Sequence, residues 1–129
     1  MNKKYLLAFA VAAAAATGAT GALAQANDTL AKAKAAGKVV MGVRESSAPL
    51  SYTTGSGQFT GYHVELCQRI LKSVLPGVAV EYVPVTSANR IPLVQNGTVD
   101  IECGSTTNNT ARQKDVSFAL TTYVTEVRT

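Results

Sequence analysis

Apolar and polar positions change period along the chain. Lys38–Val43 (KVVMGV) is β-branched and almost wholly apolar, the pattern of a strand buried on both faces of a parallel sheet. Tyr62–Leu75 instead repeats Leu66, Cys67, Ile70, Leu71 and Val74 at the 3.6-residue period of a helix, which Pro76-Gly77 ends. Val78–Val85 and Val99–Cys103 read as two further strands. A short helix opened by Thr86–Arg90 lies between them, runs through Val94 and is closed by Asn96-Gly97. Before the first strand, Asn27-Asp28-Thr29 offers a cap for a helix over Leu30–Ala36, with Gly37 as its stop. Pro49–Gly61 is rich in turn residues, with Gly55-Ser56-Gly57 as a hairpin tip. A polar loop covers Gly104–Asn109, a helical turn Thr110–Lys114, and a fourth strand Tyr123–Val127. Helices alternating with strands predict an α/β fold with a mostly parallel sheet flanked by helices.

The first 24 residues follow a different rule. Met1-Asn2-Lys3-Lys4 is basic, Leu6–Ala16 is an unbroken apolar run, and Ala22-Leu23-Ala24 has the small-x-small form that precedes signal-peptide cleavage. The run is shorter than the about 20 residues that a spanning helix needs. The expectation is a cleaved leader over 1–24, cut after Ala24, with the mature chain in the periplasm. Cleavage removes two of the 12 basic residues, so the charge falls from +4 to about +2. The remaining basic residues are dispersed, tryptophan is absent and aromatics are few. Neither a nucleic-acid stripe nor an aromatic sugar platform is present. Export permits disulfides. Cys67 and Cys103 are each readable as a small buried apolar residue, as partners of one another, or as partners of a cysteine beyond residue 129. His63 is the single histidine and has no ligand cluster around it, so no metal or other cofactor is expected.

Candidate chemistry gathers after the strands. Arg44 follows the first, Ser87 and Arg90 the second, and Ser105, Thr106 and Thr107 the third, with Arg112 a turn later. Ligands of open parallel sheets bind beyond the carboxyl ends of the strands. The planar fork of arginine donates two parallel hydrogen bonds to a carboxylate. The pattern predicts a small ligand carrying more than one carboxylate, or a phosphate. Asp100 and Glu102 share a strand face and are readable as an acid/base pair or as partners of nearby cations. Tyr52, on the loop after the first strand, is readable as packing on a ligand's methylenes or as core.

Three segments carry a resemblance. They are Arg44–Ser47, Thr86–Thr98 (TSANRIPLVQNGT), and Glu102–Asn109 (ECGSTTNN) with Arg112-Gln113-Lys114. They closely resemble the periplasmic glutamate/aspartate-binding proteins of ABC uptake systems, within the family 3 extracellular solute-binding proteins, over about Leu30–Thr129. The resemblance implies a type II periplasmic-binding-protein fold, with residues 25–129 forming most of the first lobe only. It implies that Arg112, Ser105 and Thr107 hold an α-carboxylate. It assigns the side-chain carboxylate to Arg44, Ser87 and Arg90. It also implies a membrane permease partner and a monomeric complete protein. The resembled proteins are longer, and the acidic residue that meets the α-ammonium lies in their second lobe. Residues 25–129 alone are therefore expected to bind glutamate weakly or not at all. Two other functions share such a fold. One is a dehydratase acting on a cyclic dicarboxylate, with Glu102 as its general acid, and the other is the ligand-sensing domain of a receptor.

Overall fold

The computed structural model describes residues 28–120. The leader expected over 1–24 and the strand expected over 123–127 lie outside the described residues. Helix α1 (Thr29–Ala36) begins where the Asp28 side chain accepts a hydrogen bond from the Ala31 amide at 3.0 Å. It ends at Gly37, whose left-handed backbone (φ 66°) turns the chain into strand β1 (Lys38–Val43). Three short strands follow, β2 (Ser46–Ser47), β3 (Ser51–Thr53) and β4 (Phe59–Thr60), and then helix α2 (Tyr62–Val74). Strand β5 (Ala79–Pro84), helix α3 (Arg90–Gln95), strand β6 (Ile101–Glu102) and a 3-10 turn (Arg112–Lys114) complete the described residues.

The main sheet has the order β5-β1-β6, and both pairings are parallel. The chain leaves β1 for one neighbour and returns past it to the other, so strand order reverses at β1. That reversal is where an open α/β sheet leaves a crevice. The third strand is shorter than the expected Val99–Cys103. Its ladder nevertheless runs on at both ends, from the Asp100 amide to the Val40 carbonyl (2.9 Å) and from the Cys103 amide to the Gly42 carbonyl (2.8 Å).

A second, antiparallel sheet of order β2-β3-β4 occupies the stretch read from sequence as turns. The Gly55–Gly57 tip does close its hairpin, through Gln58 N–H to the Gly55 carbonyl at 3.1 Å. This sheet also supplies what α2 lacks at its start. No side chain caps the helix, and the Tyr62 and His63 amides donate instead to the Pro49 and Leu50 carbonyls, each at 2.9 Å. Gly61 makes the approach possible, because a Cβ there would collide with the Leu50 carbonyl and its φ is 123°.

The core joins Val39, Met41 and Val43 of β1 to Val64 and Leu71 of α2, Leu75, Ala33 of α1 and Cys103. Each large aliphatic side chain buried here contributes about 1.5–3 kcal/mol. The opposite face of β1 is also closed, since a Cβ on Gly42 would stand 3.1 Å from Val99 and 3.2 Å from Val85. The α2 stripe differs from the expected one. Val64 and Leu71 point into the core, whereas Ile70 and Val74 are each 46% exposed. Leu66 and Ile70 form a second apolar row, which faces a cavity beside β6.

Two cross-links hold the elements in place. Cys67 of α2 is bonded to Cys103, just beyond β6 and 36 positions along the sequence. Closing a loop of that length stabilises a fold by about 4 kcal/mol. Asp100, its side chain only 4% exposed, pairs with Lys32 of α1 at 2.7 Å and accepts the Val40 amide at 2.9 Å. Lys32 also donates to the Gly97 carbonyl at 2.9 Å. The Asp100 carboxylate thus serves as a strut between α1, β1 and the start of β6.

Replacing both Cys67 and Cys103 by serine is expected to lower the melting temperature by at least about 10 °C. Calorimetry showing an unchanged transition would contradict the stapling role. Asp100→Ala is expected to cost about 1–3 kcal/mol through the stranded Val40 amide and the lost ion pair. An unshifted urea midpoint would show that the strut carries no stability.

Candidate functional site

Arg44 leaves the end of β1 with its backbone held. Its amide donates to the hydroxyl of buried Ser51 at 2.8 Å. Its guanidinium reaches across the crevice, Nε donating to Ser47 Oγ at 3.2 Å and Nη1 to the Val85 carbonyl beyond β5 at 3.0 Å. Ser47 Oγ also accepts from Ser105 Oγ at 3.1 Å. Arg44, Ser47 and Ser105 thus form one connected group, drawn from the loops after β1 and β6. The amino-acid sequence alone does not single out Ser47 as a site residue. A hydroxyl inside a two-residue strand carries no pattern of its own.

Arg90 is presented by a tight turn. The Thr86 amide donates to Asn89 Oδ1 at 2.7 Å, and the Asn89 amide returns a bond to Thr86 Oγ1 at 3.2 Å. Arg90 is therefore fixed as the first residue of α3. It is 6% exposed, and its Nε and Nη1 are buried with no hydrogen-bond partner. Desolvation pushes its pKa below the ordinary arginine value. Glu102 opposes that shift, while the positive charges of Arg112 and Arg44 add to it.

Glu102 faces this group from β6. Burial pushes its carboxyl above the usual value, and the charges of Arg90 and Arg44 do not reverse that shift. Glu102 Oε1 and Thr106 Oγ1 are buried without hydrogen bonds. Gly104 is bare for a reason, since a Cβ there would overlap both Glu102 Oε1 and the Arg44 side chain. The sequence reading paired Asp100 with Glu102 as one alternative. The structure separates their roles, with Asp100 engaged by Lys32 and Val40, and Glu102 facing arginines.

The loop after β6 is pinned from both sides. The disulfide holds Cys103, and the Gly104 carbonyl makes a short contact with His63 Nδ1 of α2. Farther along, Arg112 Nη1 donates to the Thr107 carbonyl at 2.9 Å, and the Arg112 amide donates to Asn109 Oδ1 at 3.0 Å. Thr107 and Ser87 are exposed, Ser87 lying on the turn that presents Arg90. Arg90 thus feels the positive charges of both Arg44 and Arg112.

A cavity of about 660 Å³ opens beside the group. Arg90, Glu102, Thr106 and Thr107 form its polar corner, and Leu66, Ile70, Ile91 and Val94 form an apolar wall along the β6 edge. Arg44, Ser87, Ser105 and Arg112 lie outside its lining. The convergence of arginines, rather than this largely apolar space, is the chemically distinctive feature.

Comparison with known proteins agrees with this architecture. The chain is 43% identical to the glutamate/aspartate import solute-binding protein of Escherichia coli over 128 residues, covering 95% of this chain and 42% of that protein. It is 50% identical to the L-glutamate/L-aspartate-binding protein of Pseudomonas aeruginosa over 98 residues, covering 71% of this chain and 32% of that protein. Among solved structures, the solute receptor for L-cysteine of Neisseria gonorrhoeae superposes with a TM-score of 0.65 at 31% identity, covering 70% of this chain and 37% of that one. The chain thus spans less than half the length of these relatives. Residues 39–128 match the family described as bacterial extracellular solute-binding proteins, family 3. The chain belongs to that family, and its parallel α/β sheet flanked by helices is the type II binding-protein fold.

Proposed function

We propose that this chain supplies the carboxylate-holding side of the binding site in a periplasmic importer of L-glutamate or L-aspartate. The observation that carries the reading is Arg90, a buried guanidinium whose Nε and Nη1 donors have no partner. Buried donors left unmade cost about 1–3 kcal/mol each. A carboxylate arriving between Arg90 and Arg44 removes that cost and adds charge-assisted bonds. In this reading Arg44, Ser87 and Arg90 take the side-chain carboxylate. Arg112, Ser105 and Thr107 take the α-carboxylate. The names of the Escherichia coli and Pseudomonas aeruginosa relatives support the choice of ligand.

The role is binding rather than catalysis, with delivery to a membrane permease of an ABC transporter. Export depends on the leader at 1–24, cleaved after Ala24.

Titrating the chain with L-glutamate and L-glutamine separates the carboxylate-specific part. The two ligands differ only in the group assigned to Arg44 and Arg90. Glutamate is expected to bind at least about tenfold more tightly, and Arg90→Ala to erase the difference. Arg90→Lys keeps the charge but loses the fork, and is expected to restore only part of it. Equal affinities for the two ligands in the unaltered chain, or a preference that survives Arg90→Ala, would refute the assignment.

A further inference from the structure

A single hydroxyl joins two members of the site that belong to different carboxylates. Ser47 Oγ accepts from Arg44 Nε at 3.2 Å and from Ser105 Oγ at 3.1 Å. A serine hydroxyl offers two acceptor lone pairs and one proton. Both lone pairs are thus taken, and the Ser47 proton is not spent on another of the described residues. Arg44 Nη1 carries the run on to the Val85 carbonyl at 3.0 Å. From Ser105 through Ser47 and Arg44 to Val85, the hydrogen bonds touch the chain just past each of the three main strands. The middle member is anchored by backbone. Ser47 pairs with Ser51 across β2 and β3, and its carbonyl accepts the Leu50 amide at 2.9 Å. The Ser51 hydroxyl in turn holds the Arg44 amide at 2.8 Å. The Ser47 backbone is therefore fixed relative to Arg44, while its hydroxyl proton is free to turn.

We propose that Ser47 is a positioning residue that relays the filling of one carboxylate subsite to the other. In the empty site Ser105 donates its O–H to Ser47. A ligand carboxylate arriving at Ser105 accepts that O–H instead. Ser47 then turns its own proton toward Ser105 Oγ and goes on accepting from Arg44. No covalent bond changes and no proton leaves its oxygen, since two hydroxyls simply rotate together. A hydroxyl that donates becomes a better acceptor, because linked hydrogen bonds polarise one another. Arg44 is then held more firmly, with its remaining donors available to a second carboxylate. A ligand with two carboxylates gains more than its two ends would gain separately. This inference rests on the glutamate/aspartate reading for which carboxylate goes where, but the link from Ser105 to Arg44 belongs to the empty protein.

The relay has a signature that a merely structural serine lacks. Among the described residues no hydrogen bond joins Ser105 directly to Arg44, and both are bonded to Ser47. A change at Ser105 therefore reaches the Arg44 guanidinium through the Ser47 hydroxyl, and stops reaching it when that hydroxyl is removed. A serine that only filled space would alter stability without linking the two. Comparing single and double variants isolates the link from effects that each substitution has by itself.

The test follows the Arg44 Nε–H signal by NMR in the 129-residue chain without ligand. Ser105→Ala is introduced beside Ser47, beside Ser47→Ala and beside Ser47→Thr. Expected is a shift of the Arg44 signal on Ser105→Ala in the otherwise unaltered chain. The shift should vanish when Ser47 is already alanine and return with threonine, which keeps the hydroxyl. Glutamate titrations accompany the spectra. Ser47→Ala is expected to weaken glutamate binding about tenfold, the size of one charge-assisted bond, and Ser47→Thr to recover most of that loss. An Arg44 signal that ignores Ser105→Ala would overturn the proposal. The same holds for an equal shift with and without the Ser47 hydroxyl, or for glutamate affinity unchanged by Ser47→Ala. If Ser47→Ala fails to fold, the Arg44 response to Ser105→Ala in the otherwise unaltered chain decides alone. Absent glutamate binding beside a Ser47-dependent Arg44 response would count against the ligand and leave the relay standing.

Discussion

A guanidinium enclosed by protein with two donors unmet is the constraint around which this structure is arranged. Arg90 is costly where it sits, and Glu102 only partly offsets that cost, since burial governs the direction of the shift in both groups. The neighbours are of the wrong sign to help, for Arg44 and Arg112 deepen the deficit. Removing a single partner from buried charges is typically expensive, and a site left short of a counter-charge has the means to select an anion. Stability given up at Arg90 is thus available as binding free energy when a carboxylate arrives.

The remainder of the fold keeps that deficit in place. Strand order reverses at β1, which brings the loops after β1, β5 and β6 to one crevice. The β6 loop would otherwise be free to move. The disulfide fixes its first residue to α2, and the contact between His63 and the Gly104 carbonyl fixes the next. Asp100 locks the beginning of β6 to α1 and β1. On the opposite side of the crevice, the reciprocal bonds of Thr86 and Asn89 aim Arg90. Gly42 and Gly104 are small where a side chain would displace the packing or the charges.

Much of this was legible in residue order, for identifiable reasons. KVVMGV and the helical repeat of Tyr62–Leu75 are long enough for periodicity to register. The Asp28 cap and the Gly37 stop mark α1 by local chemistry. The β2-β3-β4 sheet was not legible, because strands of two or three Ser, Tyr and Thr residues are too short to show alternation. The outward turn of Ile70 and Val74 was hidden for a different reason. Periodicity identifies apolar rows on a helix but not which row a neighbour will cover. The Cys67–Cys103 bond was one of several open pairings, since sequence spacing carries no information on distance in space. Arg44 and Arg90 stood out as strand-end cations. The role of Ser47, and the influence of the Glu102 charge on Arg90, depend on how three loops meet, which no local pattern encodes.

The central claim is that the unmet donors of Arg90 are what a ligand carboxylate satisfies. The most direct measurement is the arginine side-chain NMR spectrum of the chain at neutral pH as L-glutamate is added. The account predicts that the Nε–H signals of Arg44, Arg90 and Arg112 shift together to saturation and that Arg90 becomes protected from exchange. L-Glutamine should move Arg112 and leave Arg90 largely in place. An Arg90 signal indifferent to glutamate while the other two respond would contradict the account.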